Sequence, residues 1–374
     1  MADLATLRSR LVDLGFNLSR RLNHPLVRPD WVSVNVTLKC NLKCVMCRTC
    51  YDAPYELDTG ELKSIARQTA EWGVPIFNPL GGEPFLRRDL IEILEFAHGL
   101  GLVSTVTTNG TLIGENAARQ LARLPRVHLN VSIDGPEPAN DRVRAPGAYK
   151  KAVAAIRRVR EAETAAAGEF AARGEPFWPK QINVNCIINR ANADDLVPFA
   201  EEMRRAGASK IQWLNLFDFA APKDAGTERW REDLWFRPAD LPALDRAIDA
   251  LIAYSRTDGA IPFVAGEADL RLVKRYYRGD LRPRHAPCYN GFKELYINVD
   301  GEGLMCDGKL DFLASSFGNA RREPIRKMWR SRRARGMRKK VLRCRHACVQ
   351  DCYLRRQSDD VAAILRDIAG ALKG

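Results

Sequence analysis

The sequence lacks any apolar run that approaches the roughly 18–20 residues a transmembrane helix needs, which excludes an integral membrane protein. It also lacks the apolar core of a secretory signal, since charged residues are scattered through the first 23 positions. We therefore expect a cytoplasmic protein without membrane insertion, in which a disulfide framework is not expected. With 374 residues, 46% of them hydrophobic, the chain can form one large domain, or one domain with a smaller addition.

Acidic residues are nearly absent from one segment, and this segment accounts for most of the net charge of +13. Residues 321–345 hold 13 Lys or Arg and a single acid, Glu323, so they contribute +12, and the remainder of the chain contributes about +1. Such a patch could bind nucleic acid, an acidic cofactor or an acidic partner. A solvated helix face is the simpler interpretation, because the only aromatic residue in the segment is Trp329.

Strand and helix patterns alternate through the first 220 residues. The strand-like segments, which are β-branched or alternate apolar with polar residues, are 31–38, 74–77, 102–107, 127–133, 181–188 and 210–216. Segments with helical spacing separate them, which predicts βαβ units and a parallel sheet. In an α/β fold of this kind the active site lies at the C-terminal ends of the strands.

The pattern becomes less regular after residue 220. A helix is predicted at 241–256, and the turn Asp300-Gly301 predicts a hairpin that joins 294–299 to 303–306. We expect four parts: an N-terminal helical extension (1–30), a core (31–225), a connecting helical segment (226–286) and a C-terminal domain of hairpin and helices (287–374).

The first group of cysteines follows the first predicted strand directly. Cys40, Cys44 and Cys47 stand in one short loop, which can wrap three thiolates around a compact metal centre. Iron–sulfur clusters prefer thiolate ligands, and three ligands on a four-iron cluster leave one iron open. A structural zinc site with Cys50 as the fourth ligand is the alternative.

The spacing of these cysteines resembles that of radical S-adenosylmethionine (SAM) enzymes. Gly81-Gly82-Glu83, just after the second strand, is similar to the GGE motif of that family, which holds the methionine amino group of SAM. The resemblance covers about residues 31–220 and implies a partial (β/α)6 TIM-like barrel. It also implies a catalytic [4Fe-4S] cluster on Cys40, Cys44 and Cys47.

Three further segments resemble parts of the family's SAM site. They contain Asn109 after the third strand, Ser132 and Asp134 after the fourth, and Arg144 beyond it. The resemblance implies that the first three residues face the ribose and carboxylate of SAM, and that Arg144 pairs with the carboxylate. For each residue, a turn or a helix cap is the competing interpretation.

The second group of cysteines resembles the C-terminal auxiliary-cluster domain called SPASM, or its shorter twitch version. Its members are Cys288, Cys306, Cys344, Cys348 and Cys352. Five cysteines are too few for two cubane clusters with only cysteine ligands. We therefore expect one auxiliary [4Fe-4S] cluster, bound by Cys288, Cys306 and two of the last three, with a zinc knuckle as the alternative.

The resemblance implies reductive cleavage of SAM to a 5′-deoxyadenosyl radical, which takes a hydrogen atom from a substrate carbon. The auxiliary cluster would accept an electron or anchor the substrate. Only some 30 residues precede the first strand, too few for a leader-binding domain. We therefore expect oxidation or epimerisation of a small polar natural-product or sugar-like metabolite, with flavodoxin or ferredoxin as the reductant.

Three alternatives to that function stay open. The enzyme could modify a peptide by crosslinking or epimerisation. It could also modify nucleic acid, a function that only the basic segment supports. A non-enzymatic iron–sulfur electron carrier is the alternative from another class. Electron carriers have clusters with four cysteine ligands, so cleavage of SAM separates the two classes.

Overall fold

The computed structural model describes residues 4–47, 53, 55–217, 229–283, 285, 287–306 and 316–345. Eight strands in this part of the chain form one sheet. The strands are β1 (Trp31–Thr37), β2 (Ile76–Gly81), β3 (Val103–Thr108), β4 (Val127–Ser132), β5 (Ile182–Ile188), β6 (Lys210–Asn215), β7 (Glu294–Ile297) and β8 (Gly303–Leu304). Among the described helices, none is long and apolar enough to cross a bilayer.

Twelve α-helices are described alongside the sheet. They are α1 (Leu4–Leu22), α2 (Thr59–Glu71), α3 (Leu90–Gly99), α4 (Glu115–Ala122), α5 (Glu137–Val143), α6 (Ala148–Ala172), α7 (Leu196–Ala206), α8 (Arg229–Leu234), α9 (Leu241–Ser255), α10 (Glu267–Tyr277), α11 (Ile325–Arg330) and α12 (Arg332–Leu342). The six predicted βα repeats are confirmed, and most boundaries agree within about two residues.

The strand order explains why one face of the sheet stays open. The strands lie in the order β6-β5-β4-β3-β2-β1, and every pair among them is parallel. Since crossovers between parallel strands are right-handed, a constant direction of travel places all the connecting helices on one face. Apolar residues on alternate strand positions, such as Val34, Val106 and Val184, are fully buried in the core against those helices. The result is an open, partial (β/α)6 barrel with a concave inner face.

Strand β2 extends further than its sequence suggests. The short apolar run predicted a strand at 74–77 only. In the structure β2 continues to Gly81 and pairs with β1 there, while its paired positions with β3 are Ile76 and Phe77. Pro79, which has no N–H, lies beyond the residues of β2 that pair with β3, so the β2–β3 ladder loses no hydrogen bond there.

The C-terminal hairpin adds to the opposite edge of the barrel sheet. Strand β7 pairs parallel with β1, with Val34 opposite Ile297, and β8 pairs antiparallel with β7. The sequence predicted the hairpin but not this pairing. The first residues of the C-terminal part are therefore continuous with the sheet that carries the first cysteine loop.

The segment between the barrel and the hairpin closes the other end of the sheet. Helices α9 and α10 pack in the core beside β5 and β6. The hydroxyl of Tyr277, at the end of α10, donates to the carbonyl of Ile188 and accepts the N–H of Leu216 at 2.9 Å. One buried side chain thus joins the C-terminal ends of β5 and β6.

Candidate active site

The first cysteine loop lies at the C-terminal end of β1 and is held there by its neighbours. Asn109, which follows β3, donates from Nδ2 to the Oδ1 atom of Asn41 at 2.9 Å and to the Sγ atom of Cys40 at 3.8 Å. The backbone N–H of Leu42 also donates to that sulfur, at 3.4 Å. Donors of this kind stabilise a thiolate ligand. Asn41 was not predicted, although it stands inside the cysteine motif.

The middle cysteine of the loop faces a buried ion pair. Burial raises the pKa of Cys44 to about 11, while the positive charge of Arg144 opposes that increase. The guanidinium of Arg144 pairs with Asp134 at 2.8 Å, and the Asp134 side chain is fully buried. Although burial disfavours the charged guanidinium, Asp134 and Cys44 hold the pKa of Arg144 above its usual value. The predicted residues Cys44, Asp134 and Arg144 therefore lie together.

The ion pair also has an architectural role. Asp134 accepts the backbone N–H of Ile187 at 2.9 Å, which links the turn after β4 to β5. Arg144 therefore has a protein carboxylate as its partner, in the position where the sequence predicted pairing with the SAM carboxylate. Ser132, the last residue of β4, is partly exposed and lies opposite Asn185 of β5.

Gly81 and Gly82 are required because their backbone lies directly against the end of β1. Gly81 has a φ of +140°, and a Cβ atom there would lie 1.9 Å from the carbonyl oxygen of Thr37. A Cβ atom on Gly82 would lie 2.2 Å from the carbonyl oxygen of Lys39. The N–H groups of Gly82 and Glu83 donate to these same two carbonyls, at 2.9 and 2.8 Å. The glycines thus fix the GGE segment to the residues that lead into Cys40.

Glu83 joins the ends of β2 and β3. Its buried carboxylate accepts the N–H of Asn109 at 2.7 Å, the hydroxyl of Thr108 at 2.8 Å and the N–H of Phe85 at 3.1 Å. Burial raises the pKa of Glu83, and these donors oppose the increase. A carboxylate offers about four acceptor positions. The three hydrogen bonds leave one position of Glu83 for a further donor.

Amide side chains line the concave face beside this edge, and sequence reasoning did not single them out. Asn130 on β4 accepts a hydrogen bond from Asn183 on β5 at 3.0 Å, and Asn35 on β1 donates to Asn298 at 3.1 Å. Oδ1 atoms of Asn183 and Asn185 are buried and have no hydrogen-bond partner in the described part of the chain. Polar residues at every second position of 127–132 and 182–185 were the available signal, since that period places them on one face.

Part of the auxiliary cysteine group lies within the described residues. Cys288 and Cys306 are partly buried on either side of the hairpin, and Cys344 comes two residues after α12. A Cβ atom on Gly291 would lie 2.4 Å from the sulfur of Met305, so the loop after Cys288 contacts the residue before Cys306. Cys348 and Cys352, the other predicted ligands, and Cys50, the zinc alternative's fourth ligand, lie outside the described residues.

Helix α12 connects this region with the basic segment. Arg338 is buried, and its guanidinium donates to the carbonyls of Gly291 at 2.5 Å and Trp329 at 2.7 Å. It also stacks on the ring of Trp329, with 4.3 Å between the guanidinium carbon and the ring centroid. Burial lowers the pKa of Arg338 to about 9. The inner face of α12 is thereby fixed to the loop that follows Cys288.

The donor chemistry of both cysteine groups fits iron–sulfur clusters. None of the seven described cysteines is in a disulfide bond. Within the described ranges, no three His, Cys, Asp or Glu side chains form a group that could hold one metal ion. Cysteine thiolates are the ligands that cubane clusters use. In the first group, Cys40 Sγ also accepts hydrogen bonds from the Leu42 N–H and the Asn109 side-chain amide.

Comparison with protein families gives two matches. Residues 34–165 match the model of the radical SAM superfamily, and residues 288–353 match that of SPASM, an iron–sulfur cluster-binding domain. The two matches contain the first and the second cysteine group, respectively.

Two curated relatives match most of the chain, and a third matches a shorter part of it. The Fe-coproporphyrin III synthase of Methanosarcina barkeri is 36% identical over 312 residues, which is 79% of this chain and 72% of that protein. The PqqA peptide cyclase of Xanthomonas axonopodis pv. citri is 27% identical over 313 residues, 80% of this chain and 74% of that one. The AdoMet-dependent heme synthase of Oleidesulfovibrio alaskensis is 37% identical over 151 residues, 39% of each chain.

Solved structures share the fold at low identity. Streptococcus suis SuiB bound to S-adenosylmethionine superimposes with a TM-score of 0.65 at 16% identity, over 88% of this chain and 77% of that one. The protein anSMEcpe, with bound AdoMet and Cp18Cys peptide, gives 0.62 at 15% identity, over 92% and 96%. At these identities the likeness establishes the fold alone.

Proposed function

Because the chain belongs to the radical SAM superfamily and carries a SPASM iron–sulfur domain, we propose that it oxidises a C–H bond of a neutral, hydrogen-bonding substrate. The family uses SAM and a [4Fe-4S] cluster, and its SPASM domain binds auxiliary iron–sulfur clusters. When bound, SAM and the catalytic cluster supply a radical that removes a hydrogen atom from substrate.

The residues at the C-terminal edge divide into two proposed roles. Cys40, Cys44 and Cys47 would hold the catalytic cluster, with Asn109 as a donor to the first of these sulfurs. The remaining acceptor position of Glu83 would take the SAM amino group, because a buried carboxylate attracts an ammonium donor strongly. Gly81 and Gly82 position that carboxylate, and Ser132 lies beside the open face.

The buried pair of Asp134 and Arg144 supports the site in a different manner. The positive charge of Arg144 acts on Cys44, and Asp134 accepts the N–H of Ile187, which fixes the turn after β4. We assign both residues to positioning of the cluster loop. Because Arg144 already pairs with Asp134, any contact of Arg144 with the SAM carboxylate would be additional to that ion pair.

The second cysteine group would hold one auxiliary cluster. Cys288, Cys306 and Cys344 are partly buried around the hairpin and α12. Five cysteines in all suffice for a single cubane cluster with four cysteine ligands and for no second one.

The amide-lined concave face is the observation that carries the substrate proposal. Uncharged amides supply both donors and acceptors, and the side chains of Asn130, Asn183 and Asn185 belong to partly exposed residues on this face. A neutral polar substrate satisfies both. A small sugar-like metabolite and a peptide share this chemistry, and the PqqA peptide cyclase relative makes the peptide a source to test.

The test is anaerobic incubation of reconstituted enzyme with SAM, dithionite and a substrate panel. The panel contains sugars and aminocyclitols, short synthetic peptides, and an iron porphyrin that carries carboxylate side chains. Mass spectrometry measures 5′-deoxyadenosine and the mass of each candidate. We expect a loss of two mass units in a sugar or a peptide, and which of them reacts identifies the source. An unchanged mass with inverted stereochemistry would replace oxidation with epimerisation.

An iron porphyrin is the second candidate, favoured by the 36% identity to Fe-coproporphyrin III synthase over most of both chains. Its carboxylates would need cationic partners, whereas the inner-face residues Asn130, Asn183 and Asn185 are neutral. Conversion of the porphyrin, with no reaction of the neutral compounds, would overturn our first choice.

The variant Glu83→Ala tests the proposed SAM contact. Loss of the carboxylate should weaken SAM binding about tenfold or more, because a charge-assisted hydrogen bond contributes roughly 1.5–3 kcal/mol. Equilibrium dialysis with reconstituted protein measures the affinity. Glu92→Ala, which removes an exposed acid of α3, is the matched control and should bind SAM normally. Equal affinities in the two variants would exclude Glu83 from the SAM site.

A further inference from the structure

The basic segment forms a surface that the described chain leaves almost entirely without anionic partners. Of its 13 Lys or Arg side chains, Arg338 is buried and Arg321 pairs with Glu61 at 2.7 Å. The other eleven are exposed, and no ion pair involving them occurs among the described residues. We call these eleven the basic surface: Arg322, Arg326, Lys327, Arg330, Arg332, Arg333, Arg335, Lys339, Lys340, Arg343 and Arg345.

The basic surface lies directly outside the auxiliary cysteines. The inner face of α12 buries Arg338, whose guanidinium contacts the carbonyl of Gly291, three residues after Cys288. The outer face of the same helix exposes Arg335 and Lys339. A helix with its side chains is about 10–12 Å across. A protein that docks on the outer face is therefore separated from the cysteine loop by a single helix.

The surface continues around α11 and the chain before β1. Arg326 and Arg330 line a cleft of about 460 Å³ together with Arg28, Trp72 and one acid, Asp30. At the other end, Asn23 donates to the carbonyl of Arg335 at 3.4 Å, so the end of α1 lies beside α12. Exposed cations thus lie on α11, on α12 and in the chain before β1.

We propose that the basic surface docks an acidic electron-donor protein, of the flavodoxin or ferredoxin kind, against the auxiliary cluster domain. The proposal rests on the radical SAM assignment, because SAM cleavage consumes one electron that a partner must supply. Eleven like charges repel one another, and a complementary acidic surface removes that cost while it steers association. Nucleic acid fits less well, because the one aromatic residue in the segment, Trp329, is buried and packs edge-on against Trp72.

The test compares two routes of electron supply to one variant. The variant reverses three charges on the outer face of α12 and carries Arg335→Glu, Lys339→Glu and Lys340→Glu together. Flavodoxin with its NADPH-dependent reductase, and in a parallel assay a ferredoxin, drives SAM cleavage, measured as 5′-deoxyadenosine. We expect the KM for the donor protein to rise about tenfold or more and its salt dependence to flatten. Dithionite is a small reductant that needs no docking, so it should drive SAM cleavage at the same rate in the unaltered enzyme and in the α12 variant.

A matched control reverses three exposed cations elsewhere. Lys151→Glu, Arg157→Glu, Arg246→Glu changes the net charge equally on α6 and α9. It should leave the KM for the donor protein within about twofold of the unaltered enzyme. Equal increases in both variants would overturn the docking site, since net charge alone would then explain them.

Three further outcomes test the docking site and its alternatives. If neither donor protein distinguishes the α12 variant from the unaltered enzyme, the docking site is wrong. If bulk tRNA binds the unaltered enzyme with a steep salt dependence and the variant does not, while the KM for donors is unchanged, the surface belongs to nucleic acid. If dithionite itself yields no 5′-deoxyadenosine from reconstituted enzyme, the enzymatic assignment fails, and this result is separate from failure of the docking site.

Discussion

Charged groups are buried and paired at the catalytic edge, whereas those of the basic surface are exposed and have no ion-pair partner among the described residues. At the edge, Asp134, Arg144 and Glu83 are buried or nearly so, and each has partners within the chain. On α12, Lys339 and Lys340 are exposed and have no described ion-pair partner. Buried charges must be paired to be tolerated, whereas exposed charges can stay available. The difference separates residues that build the site from residues that can meet another molecule.

The largest expected effect comes from the cysteine loop. Changing Cys40, Cys44 and Cys47 together to Ala should abolish SAM cleavage and leave about half of the roughly eight irons expected for two cubane clusters. Anaerobic iron analysis and 5′-deoxyadenosine formation measure the two losses. Cys186→Ala is the control, because Cys186 is fully buried in the core and should not change the iron content. Cleavage that survives in the triple variant would contradict the assignment.

The buried ion pair gives the next largest effect. Asp134→Asn leaves the charge of Arg144 buried without its partner and should destabilise the protein by about 3–5 kcal/mol. Adding Arg144→Met removes that charge and should recover part of the loss. Urea denaturation of the reconstituted variants measures the free energies of unfolding. If the double variant lost the sum of the two single effects, the two side chains would not be coupled.

A backbone substitution tests how tightly the edge is assembled. Gly81→Ala should cost about 3 kcal/mol, because its Cβ atom would overlap the carbonyl of Thr37 at a positive φ. Gly101 also has a positive φ, of +78°, but nothing lies within 4 Å of the corresponding Cβ position. Gly101→Ala should therefore cost only about 1 kcal/mol. Equal costs, measured by urea denaturation, would mean that β1 and the GGE segment can separate easily.

Local pattern predicted the repeating part of the fold and could not predict the pairings between distant residues. The six barrel strands were predicted because each alternates or is β-branched over its own few residues. The parallel pairing of β7 with β1 joins residues some 260 positions apart, and no local period reports it. The extension of β2 through Pro79 was not predicted either; a proline is tolerated there because the residues of β2 that pair with β3 are Ile76 and Phe77.

The candidate site shows the same division. The cysteine spacing and the GGE motif are local, so their positions at the strand ends were predicted. The partner of Arg144 was not, because Asp134 becomes its neighbour only when α5 packs at the end of β4. The amide-lined face was visible as alternation, but its concave geometry follows from the common direction of the five crossovers between the six strands.

The smallest expected effect completes the comparison of the two regions. Lys339→Glu, Lys340→Glu should change the free energy of unfolding by less than about 0.5 kcal/mol, because both side chains are exposed and make no described ion pair. A slight gain in stability is the expected direction, since neighbouring positive charges repel. The gain should shrink in 1 M salt, where the screening length falls to about 3 Å. Arg321→Glu is the matched variant: it breaks an existing pair with Glu61 and should destabilise by up to about 1 kcal/mol. A larger loss from the Lys pair than from Arg321 would show that the exposed charges already support the fold, and the distinction between the two regions would then collapse.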